Sequence, residues 1–387
     1  MTAIGAGETL RVAVVGAGVF GRNHLRVYRE LERAGYKVEL AAVIDPSEAA
    51  RKKAEADFGV RGFATVAECM AFPTHGDKTA VNGPPGRLAI HAASVCVPTV
   101  DHAATARELM ACGIDLLIEK PLAASLEEAD AIASAARETG RVVQVGHLER
   151  FNPAVRAVRG MLNRPMFFEV HRLSVFTPRA LDVDVVLDLM IHDLDLVLSL
   201  VGEPVREVRA VGLPVLSPKV DIANVRLEFA NGCVANFTAS RVSTERVRKM
   251  RFFQPHQYLS LDFARQDLLV IDVSAAAKGI ATMSREQIEQ MIAASSMHPT
   301  RDDKAVTDGA PERSMAEAHP TPGMDLKKVA VEQGEPLRLE IESFLDAVRT
   351  RSEPEVTVAD GRAALDLALK INGAIASHAE KLSVLSC

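Results

Sequence analysis

The hydrophobic positions of the first 146 residues fall into short apolar runs separated by stretches with helical periodicity. Arg11–Val15, Val38–Ile44, Ala92–Val97 and Ile114–Ile118 are such runs, and helical patterns lie between them. Alternating strands and helices are typical of βαβ units. We therefore predict a doubly wound parallel α/β sheet, in a first domain that spans residues 1–148.

The pattern changes after Met166, where long strands follow one another with short turns. The candidate strands are Phe167–Phe176, Val205–Leu213, Ile222–Phe229, Val234–Ser240, Lys249–Gln254, Tyr258–Phe263 and Leu268–Val273. One apolar helix, Asp184–Leu200, interrupts them. This order predicts an α+β domain over residues 149–387, built on a large, mainly antiparallel open sheet, with a flexible insertion at 274–324. The exposed sheet face favours a homo-oligomer, a dimer or a tetramer.

Composition narrows the function classes. The chain has 387 residues and a net charge of −6, which argues against nucleic-acid binding. Five scattered cysteines without a Cys-x-x-Cys pair predict neither a disulfide framework nor a metal site. The N-terminus lacks a signal-peptide pattern, and the most apolar stretch, 183–201, contains several carboxylates, which excludes a membrane span. We expect a cytoplasmic protein whose partner is a small molecule.

A glycine loop carries the clearest functional signal. Gly16–Gly21 joins the first strand to a helix: Gly16 allows a sharp turn, Gly18 allows close approach to a pyrophosphate, and Gly21 allows tight packing of the helix. Asp45 ends the second strand, where its carboxylate can bind a ribose diol and repel a 2′-phosphate. This arrangement predicts a dinucleotide site that prefers NAD to NADP, although the same fold also binds flavin or S-adenosylmethionine.

Candidate catalytic groups lie in two further segments. Lys120, in Glu119-Lys120-Pro121 at the end of a parallel strand, could hydrogen-bond a substrate oxygen or simply be solvated. On the predicted helix, Asp184, Asp188, His192, Asp195 and Ser199 share an arc of roughly 80°. Asp188 and His192 are four residues apart, so the carboxylate could hold the imidazole as a proton acceptor. Three alternatives remain for Asp188 and His192: a hydrogen-bonded polar pair in the core, two ligands of a metal ion, or part of a polar strip that faces solvent. Asp193 receives no role.

Several basic residues are candidates for anion contact. The run 241–251 is interpreted as a solvated rim, with Arg241 the member expected in the cleft if the substrate carries phosphates. Arg150, Arg172 and Arg179 are the other candidates. His147, Arg150 and Asn152 lie where the chain crosses between the domains and could contact ligands.

Together these segments resemble the Gfo/Idh/MocA family of NAD(P)-dependent sugar and inositol dehydrogenases. The resemblance rests on the glycine loop, Val97-Pro98-Thr99 with His102, Glu119-Lys120-Pro121 and Asp188-x-x-x-His192. It implies a Rossmann domain and a catalytic set of Lys120, Asp188 and His192. The implied cofactor-binding set is Gly16, Gly18, Val19, Phe20, Gly21, Asp45, Pro98, Thr99, His102, Glu119, Lys120, Gln144 and His147. The implied substrate-binding set is Lys120, Arg150, Asn152, Arg172, Arg179, His192 and Arg241.

Three stretches resemble the branch of this family that oxidises the 3-hydroxyl of UDP-N-acetylglucosamine ahead of a transaminase in lipid A assembly. They are Gly146–Pro153, Asp188–Asp193 and Ala239–Ser243. The expected activity is NAD-dependent oxidation of a secondary sugar hydroxyl. Alternatives are an inositol or free-sugar dehydrogenase, an NAD-using glycosidase without net redox change, and a non-catalytic NAD-sensing protein.

Overall fold

The N-terminal half contains the predicted parallel sheet. The computed structural model describes residues 8–74, 86–176, 183–273, 284, 286–287 and 324–385. The strands of this half are β1 (Leu10–Val15), β2 (Val38–Ile44), β3 (Arg61–Phe63), β4 (Pro73–Thr74), β5 (Gly86–Arg87), β6 (Ala92–Val95), β7 (Asp115–Glu119) and β8 (Val143–Gly146). Six of them form a parallel sheet in the order β3-β2-β1-β6-β7-β8. The order reverses beside β1, and ligands of such sheets bind at that point.

The helices of this half follow the strands as predicted. They are α1 (Val19–Arg33), α2 (Glu48–Phe58), α3 (Val66–Ala71), α4 (His102–Ala111) and α5 (Leu126–Thr139). At the start of α5 the Ser125 hydroxyl accepts a hydrogen bond from the Glu128 amide at 3.2 Å, a helix cap visible in the sequence. The segment 72–87 contains the short antiparallel pair β4–β5, and residues 75–85 lie outside the described part of the chain.

The second sheet has eight strands in the order β10-β11-β12-β9-β13-β14-β15-β16. Its strands are β9 (Phe167–Val175), β10 (Val205–Leu213), β11 (Ile222–Phe229), β12 (Val234–Ser243), β13 (Val247–Gln254), β14 (Gln257–Asp262), β15 (Asp267–Val273) and β16 (Met324–Val329). All neighbours are antiparallel except β9 and β12, so the mainly antiparallel prediction is confirmed. The predicted insertion at 274–324 lies almost wholly outside the described residues.

One face of this sheet is buried under helices. The helices of this half are α6 (Pro153–Arg159), α7 (Ile191–Val201), α8 (Pro336–Thr350) and α9 (Val358–Leu385). A single π-helical turn, Val186–Met190, leads into α7. Side chains of α6, α7 and α9 share one apolar core with the inner face of the sheet. In the described ranges, none of the helices is both long and apolar enough to span a membrane.

The last two helices return to the first sheet. Ile341, Phe344 and Leu345 of α8 are buried in the same core as β1 and α1. Leu365 of α9 joins the core on the other side of that sheet, while Ile371 joins the core of the second sheet. The sequence assigns both helices to the second domain, but their packing ties the two sheets together. This packing fixes the cleft between them.

Candidate active site

A cavity of about 830 Å³ opens at the carboxyl edge of the parallel sheet. Among the residues predicted to hold the cofactor, those that line it are Gly16, Gly18, Val19, Phe20, Asp45 and Pro98. Val19 and Phe20, in the first turn of α1, are more than half exposed at its mouth, at 58% and 51%. The cavity therefore lies where the sheet order reverses, against the start of α1.

The three glycines of the loop serve different purposes. Gly16 has a φ of +94°, and a Cβ there would lie 2.5 Å from the Cys96 carbonyl oxygen. A Cβ on Gly21 would overlap the Gly16 carbonyl, so this glycine allows α1 to pack on the loop. A Cβ on Gly18 would meet no protein atom within 4 Å. Gly18 therefore borders open space.

That open space fits a dinucleotide. Gly18 is the N-cap residue of α1. Because glycine has no side chain, the first amides of the helix receive no side-chain cap. Uncapped amides at a helix N-terminus are donors for phosphate oxygens, and the helix dipole favours negative charge there. Gly18 and the start of α1 would hold the pyrophosphate of NAD.

Asp45 is fixed by the backbone around it. Its carboxylate accepts hydrogen bonds from the Ala17 amide at 2.7 Å and from the Ser47 amide at 2.8 Å. Each oxygen keeps a further lone pair, and Asp45 lines the cavity. The geometry is compatible with the predicted contact to a ribose diol.

Sequence reasoning missed the part of this cavity that the segment after β3 and the start of α4 contribute. Further lining residues are Ala64, Thr65, Val66, Asp101, Ala104, Thr105 and Glu108. Thr65 caps α3 directly after β3, and a strand followed by a cap is a detectable signal. Asp101 precedes α4, and Thr105 and Glu108 follow it at helical spacing. This polar stripe is also a signal that the sequence contains.

Seven residues of the predicted cofactor set lie outside the lining of the cavity. They are Gly21, Thr99, His102, Glu119, Lys120, Gln144 and His147. The His102 ring is buried and contacts the carbonyl oxygens of Val97 and Pro121, both at 3.0 Å. Burial lowers the pKa of His102. This histidine joins two strand ends, which is a structural role.

Lys120 links the first sheet to the π-helical turn. Its Nζ donates a hydrogen bond to the Asp188 carbonyl oxygen at 2.7 Å and lies 3.9 Å from the Asp188 carboxylate. Its side chain is only 10% exposed. Burial lowers the pKa of Lys120 below its ordinary value, ahead of the opposing effect of Asp188. The ammonium can therefore release a proton more easily than a solvated lysine.

The predicted hydrogen bond between Asp188 and His192 is not formed. Asp188 lies in the π-helical turn, whose wider spacing takes residues four apart out of line. The Asp188 carboxylate faces Lys120 instead, and Nδ1 of His192 is buried without a hydrogen-bond partner in the described residues. The sequence predicted one regular helix, because the polar arc does not reveal a π turn.

Two imidazoles stand next to Lys120. The rings of His147 and His192 are 6.4 Å apart between centroids and nearly perpendicular. Burial, followed by the charges of Lys120 and Arg172, holds the pKa of His192 well below its ordinary 6.5. Burial also lowers the pKa of His147, whose ring nitrogens contact no hydrogen-bonding atom of the described chain. Both rings are therefore neutral at neutral pH and can accept protons.

A buried network behind Lys120 was missed by sequence reasoning. The Glu119 carboxylate contacts Nε2 of His24 at 2.8 Å, and Nδ1 of His24 contacts the Ser94 hydroxyl at 3.0 Å. Burial alone would raise the pKa of Glu119, but the hydrogen bond and charge of His24 bring it below its usual range. Since 95 positions separate His24 from Glu119, no local pattern reveals this contact.

Gln144 and Glu340 lie buried between β8 and α8. Nε2 of Gln144 donates to the Glu340 backbone carbonyl at 3.1 Å. Neither oxygen of the Glu340 carboxyl has a hydrogen-bond partner in the described part of the chain. Burial, with the nearby charge of Glu119, raises the pKa of Glu340 well above its usual value. Glu340 is therefore held as a neutral acid.

The arginines predicted to contact a substrate anion are already engaged by carboxylates. Arg150 binds Asp195 through two hydrogen bonds of 2.7 Å. Arg172 binds Asp193 in the same bidentate way, and also Glu149 at 3.0 Å. All five side chains are buried. Asp193, which received no role from the sequence, is thus a partner in the central ion pair.

The remaining substrate candidates also have internal partners. Arg241 lies 3.3 Å from the Asp221 carboxylate and donates to the carbonyls of Val183 and Val220. The expectation that Arg241 offers its charge to the cleft is therefore corrected. Asn152 caps α6 and donates to the Phe263 carbonyl at 3.1 Å, which is a structural role. Arg179 lies outside the described residues.

Two family models match the chain. Residues 10–147 match the Gfo/Idh/MocA oxidoreductase family model, an NAD-binding Rossmann fold. Residues 154–254 match the Gfo/Idh/MocA C-terminal domain. The two matches cover the parallel sheet and strands β9 to β13 of the second sheet.

Individual proteins are similar as well. UDP-N-acetylglucosamine 3-dehydrogenase from Acidithiobacillus ferrooxidans is 38% identical over 260 residues, covering 67% of this chain and 76% of that protein. A solved structure of that enzyme superposes with a TM-score of 0.75 and 31% identity, covering 95% of this chain and 97% of the other. The NAD-dependent scyllo-inositol 2-dehydrogenase of Bacillus subtilis is 27% identical over 249 residues, covering 60% of this chain and 68% of that protein.

The cavity geometry and these similarities lead to one assignment. A glycine loop, an open helix N-terminus and a carboxylate at the end of β2 form the cradle that a dinucleotide requires. The chain belongs to the Gfo/Idh/MocA family of NAD-dependent oxidoreductases.

Proposed function

We propose that the protein oxidises the 3-hydroxyl of UDP-N-acetylglucosamine with NAD⁺. The observation that carries the proposal is the similarity to the Acidithiobacillus enzyme, which extends over both sheets at 31% identity. The arrangement supports it chemically, because Lys120 follows β7 at the carboxyl edge of the sheet that carries the NAD cradle, and its charge acts on His192. When bound, NAD supplies the hydride acceptor for the alcohol carbon.

His192 is the proposed general base. Its imidazole is neutral because burial and nearby cations lower its pKa. A neutral imidazole can take the hydroxyl proton as the alcohol is oxidised. The same cations oppose the charge that His192 gains, so the proton has to leave again through solvent or a neighbouring group. His147, the neutral ring beside it, is suited to receive that proton.

Lys120 is proposed to hold the reacting oxygen. Its ammonium donates to the Asp188 carbonyl and keeps further protons for a substrate oxygen. A hydrogen bond from a cation stabilises the negative charge that develops on that oxygen. Asp188 acts through its backbone carbonyl, which orients Lys120. Its carboxylate at 3.9 Å adds a weaker electrostatic effect.

Activity on a panel of substrates tests the proposal. NADH formation is measured with UDP-N-acetylglucosamine, UDP-glucose, and the free inositols. We expect turnover with UDP-N-acetylglucosamine and a kcat roughly 10²–10⁴-fold lower in His192→Ala and in Lys120→Met. NADH binding should persist in both, because neither side chain lines the NAD cavity. His171→Ala, on the opposite face of β9 from Arg172, is the matched control.

The alternatives give different results on the same panel. Turnover with inositols alone would favour the second candidate, an inositol dehydrogenase, for which the Bacillus relative is the supporting observation. Product formation without net NADH would indicate a glycosidase that recycles its cofactor, and no reaction at all would favour an NAD sensor. The cytoplasmic location, self-association and place in lipid A assembly stay predictions.

A further inference from the structure

One arginine of the predicted basic rim lies on the inner face of the second sheet. Arg248 on β13 is directly opposite Arg172 on β9, two residues along from the opposed pair Met250 and Val170. Residues directly opposite one another in neighbouring strands point to the same face of a sheet. Met250 and Val170 are buried in the core beneath α7. The Arg248 side chain therefore lies on the face that carries Arg172 and α7.

Arg248 differs from Arg172 in its partners. Arg172 is held by Asp193 and Glu149. Across the described ranges, Arg248 has no carboxylate within 4 Å and no side-chain hydrogen bond. The neighbouring carboxylates are already paired with Arg172, so the guanidinium N–H groups of Arg248 are available to an external anion.

The surroundings of Arg248 indicate an open cleft. The residue is exposed. The pKa of Arg248 is nevertheless lowered, first by partial burial of the guanidinium and second by the positive charge of Arg172. A side chain that is accessible to water and still partly desolvated lies in a concave surface. Arg172 connects Arg248 to the proposed base, because it lies directly opposite Arg248 and binds Asp193, the residue that follows His192 in the chain. The charge of Arg248 also contributes to the low pKa of His192.

The other basic residues of the segment 241–251 do not share this position. Arg246 is exposed in the turn before β13 begins. Arg241 is committed to Asp221. Lys249 and Arg251 are at odd positions of β13 and therefore point to the opposite face, where Lys249 lies 3.8 Å from Asp262. Arg248 thus combines the inner face with an open guanidinium.

We infer that Arg248 binds the diphosphate of the nucleotide sugar and sets the preference for phosphorylated substrates. This inference rests on the proposed function. The 3-hydroxyl and the anomeric diphosphate are on different carbons of one hexose ring, so the diphosphate needs a cation other than Lys120, and Arg248 on the second sheet can supply it. The planar guanidinium matches two phosphate oxygens at once.

Steady-state kinetics and UDP inhibition test the inference. Arg248→Ala, Arg248→Gln and Arg251→Ala are compared with the wild type for the KM and kcat of UDP-N-acetylglucosamine and for inhibition by UDP. We expect Arg248→Ala to raise KM and the UDP inhibition constant together, by roughly 10- to 100-fold, since a charge-assisted hydrogen bond is lost. We expect kcat and NADH affinity to change little. Arg248→Gln removes the charge but keeps most of the aliphatic stem, and we expect the same loss. It serves as the second variant in case Arg248→Ala folds poorly.

The outcomes separate the two proposals. Wild-type turnover of UDP-N-acetylglucosamine with an unchanged KM in Arg248→Ala and Arg248→Gln would overturn the role of Arg248 alone. An equal loss in Arg251→Ala would also overturn it, because the loss would then come from the lower net positive charge of the segment and not from a contact of Arg248. Wild-type turnover of inositols only, without UDP inhibition, would overturn the proposed function and this inference with it.

Discussion

The two sides of the cleft are built on different principles. The NAD cradle comes from one βαβ unit, and its shape depends on glycines and helix amides close together in the sequence. The opposite side is held by buried ion pairs between distant residues, since Arg172 and Asp193 are 21 positions apart and Arg150 and Asp195 are 45 apart. A site made of backbone is encoded locally, whereas a site made of buried charges depends on the tertiary fold.

The largest stability effect should come from the ion pairs. Arg172→Met leaves the buried carboxylates of Asp193 and Glu149 without their cation. We expect a loss of about 3–5 kcal/mol in the free energy of unfolding, measured by urea denaturation. The control is Arg209→Met, whose exposed partner Glu207 lies 2.5 Å away, and it should leave the free energy of unfolding nearly unchanged. Equal losses in both variants would refute the contrast between the two sides of the cleft.

Gly18→Ser should change NADH affinity and leave stability unchanged. The protein has room for the new side chain, and serine is a favourable N-cap, so stability should be kept. The hydroxyl would occupy phosphate space and cap the amides that would otherwise bind the anion. We expect NADH affinity to fall by roughly tenfold or more, about 1.4 kcal/mol, measured by fluorescence titration. Unchanged affinity would contradict the position of the pyrophosphate.

Gly21→Ala sharpens the same comparison. Its Cβ would overlap the Gly16 carbonyl, so this variant should lose stability as well as NADH affinity. The pair Gly18→Ser and Gly21→Ala thus separates a ligand contact from a packing contact within one loop.

A pH-dependent effect on stability is expected at the junction of β8 and α8. The folded-state pKa of Glu340 is raised, so folding binds a proton and stability falls as the pH rises above the ordinary carboxyl pKa of 4.5. Glu340→Gln removes this dependence. We expect it to be more stable than the wild type by about 1–3 kcal/mol near pH 8 and no more stable near pH 4. The same pH dependence in both proteins would show that Glu340 is ionised in the fold.

The comparison also explains what could be predicted from the sequence. The parallel sheet, the antiparallel sheet and the glycine loop follow from periodicity and local spacing, and the structure confirms them. The polar arc of the predicted helix does not reveal the π turn at Asp188. The contact between His24 and Glu119 joins residues 95 positions apart. The arginines were identified as important, but their carboxylate partners could not be, because only the fold brings them together.

The most direct test of the account is to follow one hydrogen atom. UDP-N-acetylglucosamine carrying deuterium at carbon 3 is incubated with the enzyme and NAD⁺, and the reduced cofactor is analysed by mass spectrometry. If carbon 3 loses its hydrogen to NAD⁺, the deuterium appears in the reduced cofactor and NADH formation is slower than with the unlabelled sugar. Reduced cofactor without deuterium would contradict oxidation at the 3-hydroxyl, and so would the absence of reduced cofactor.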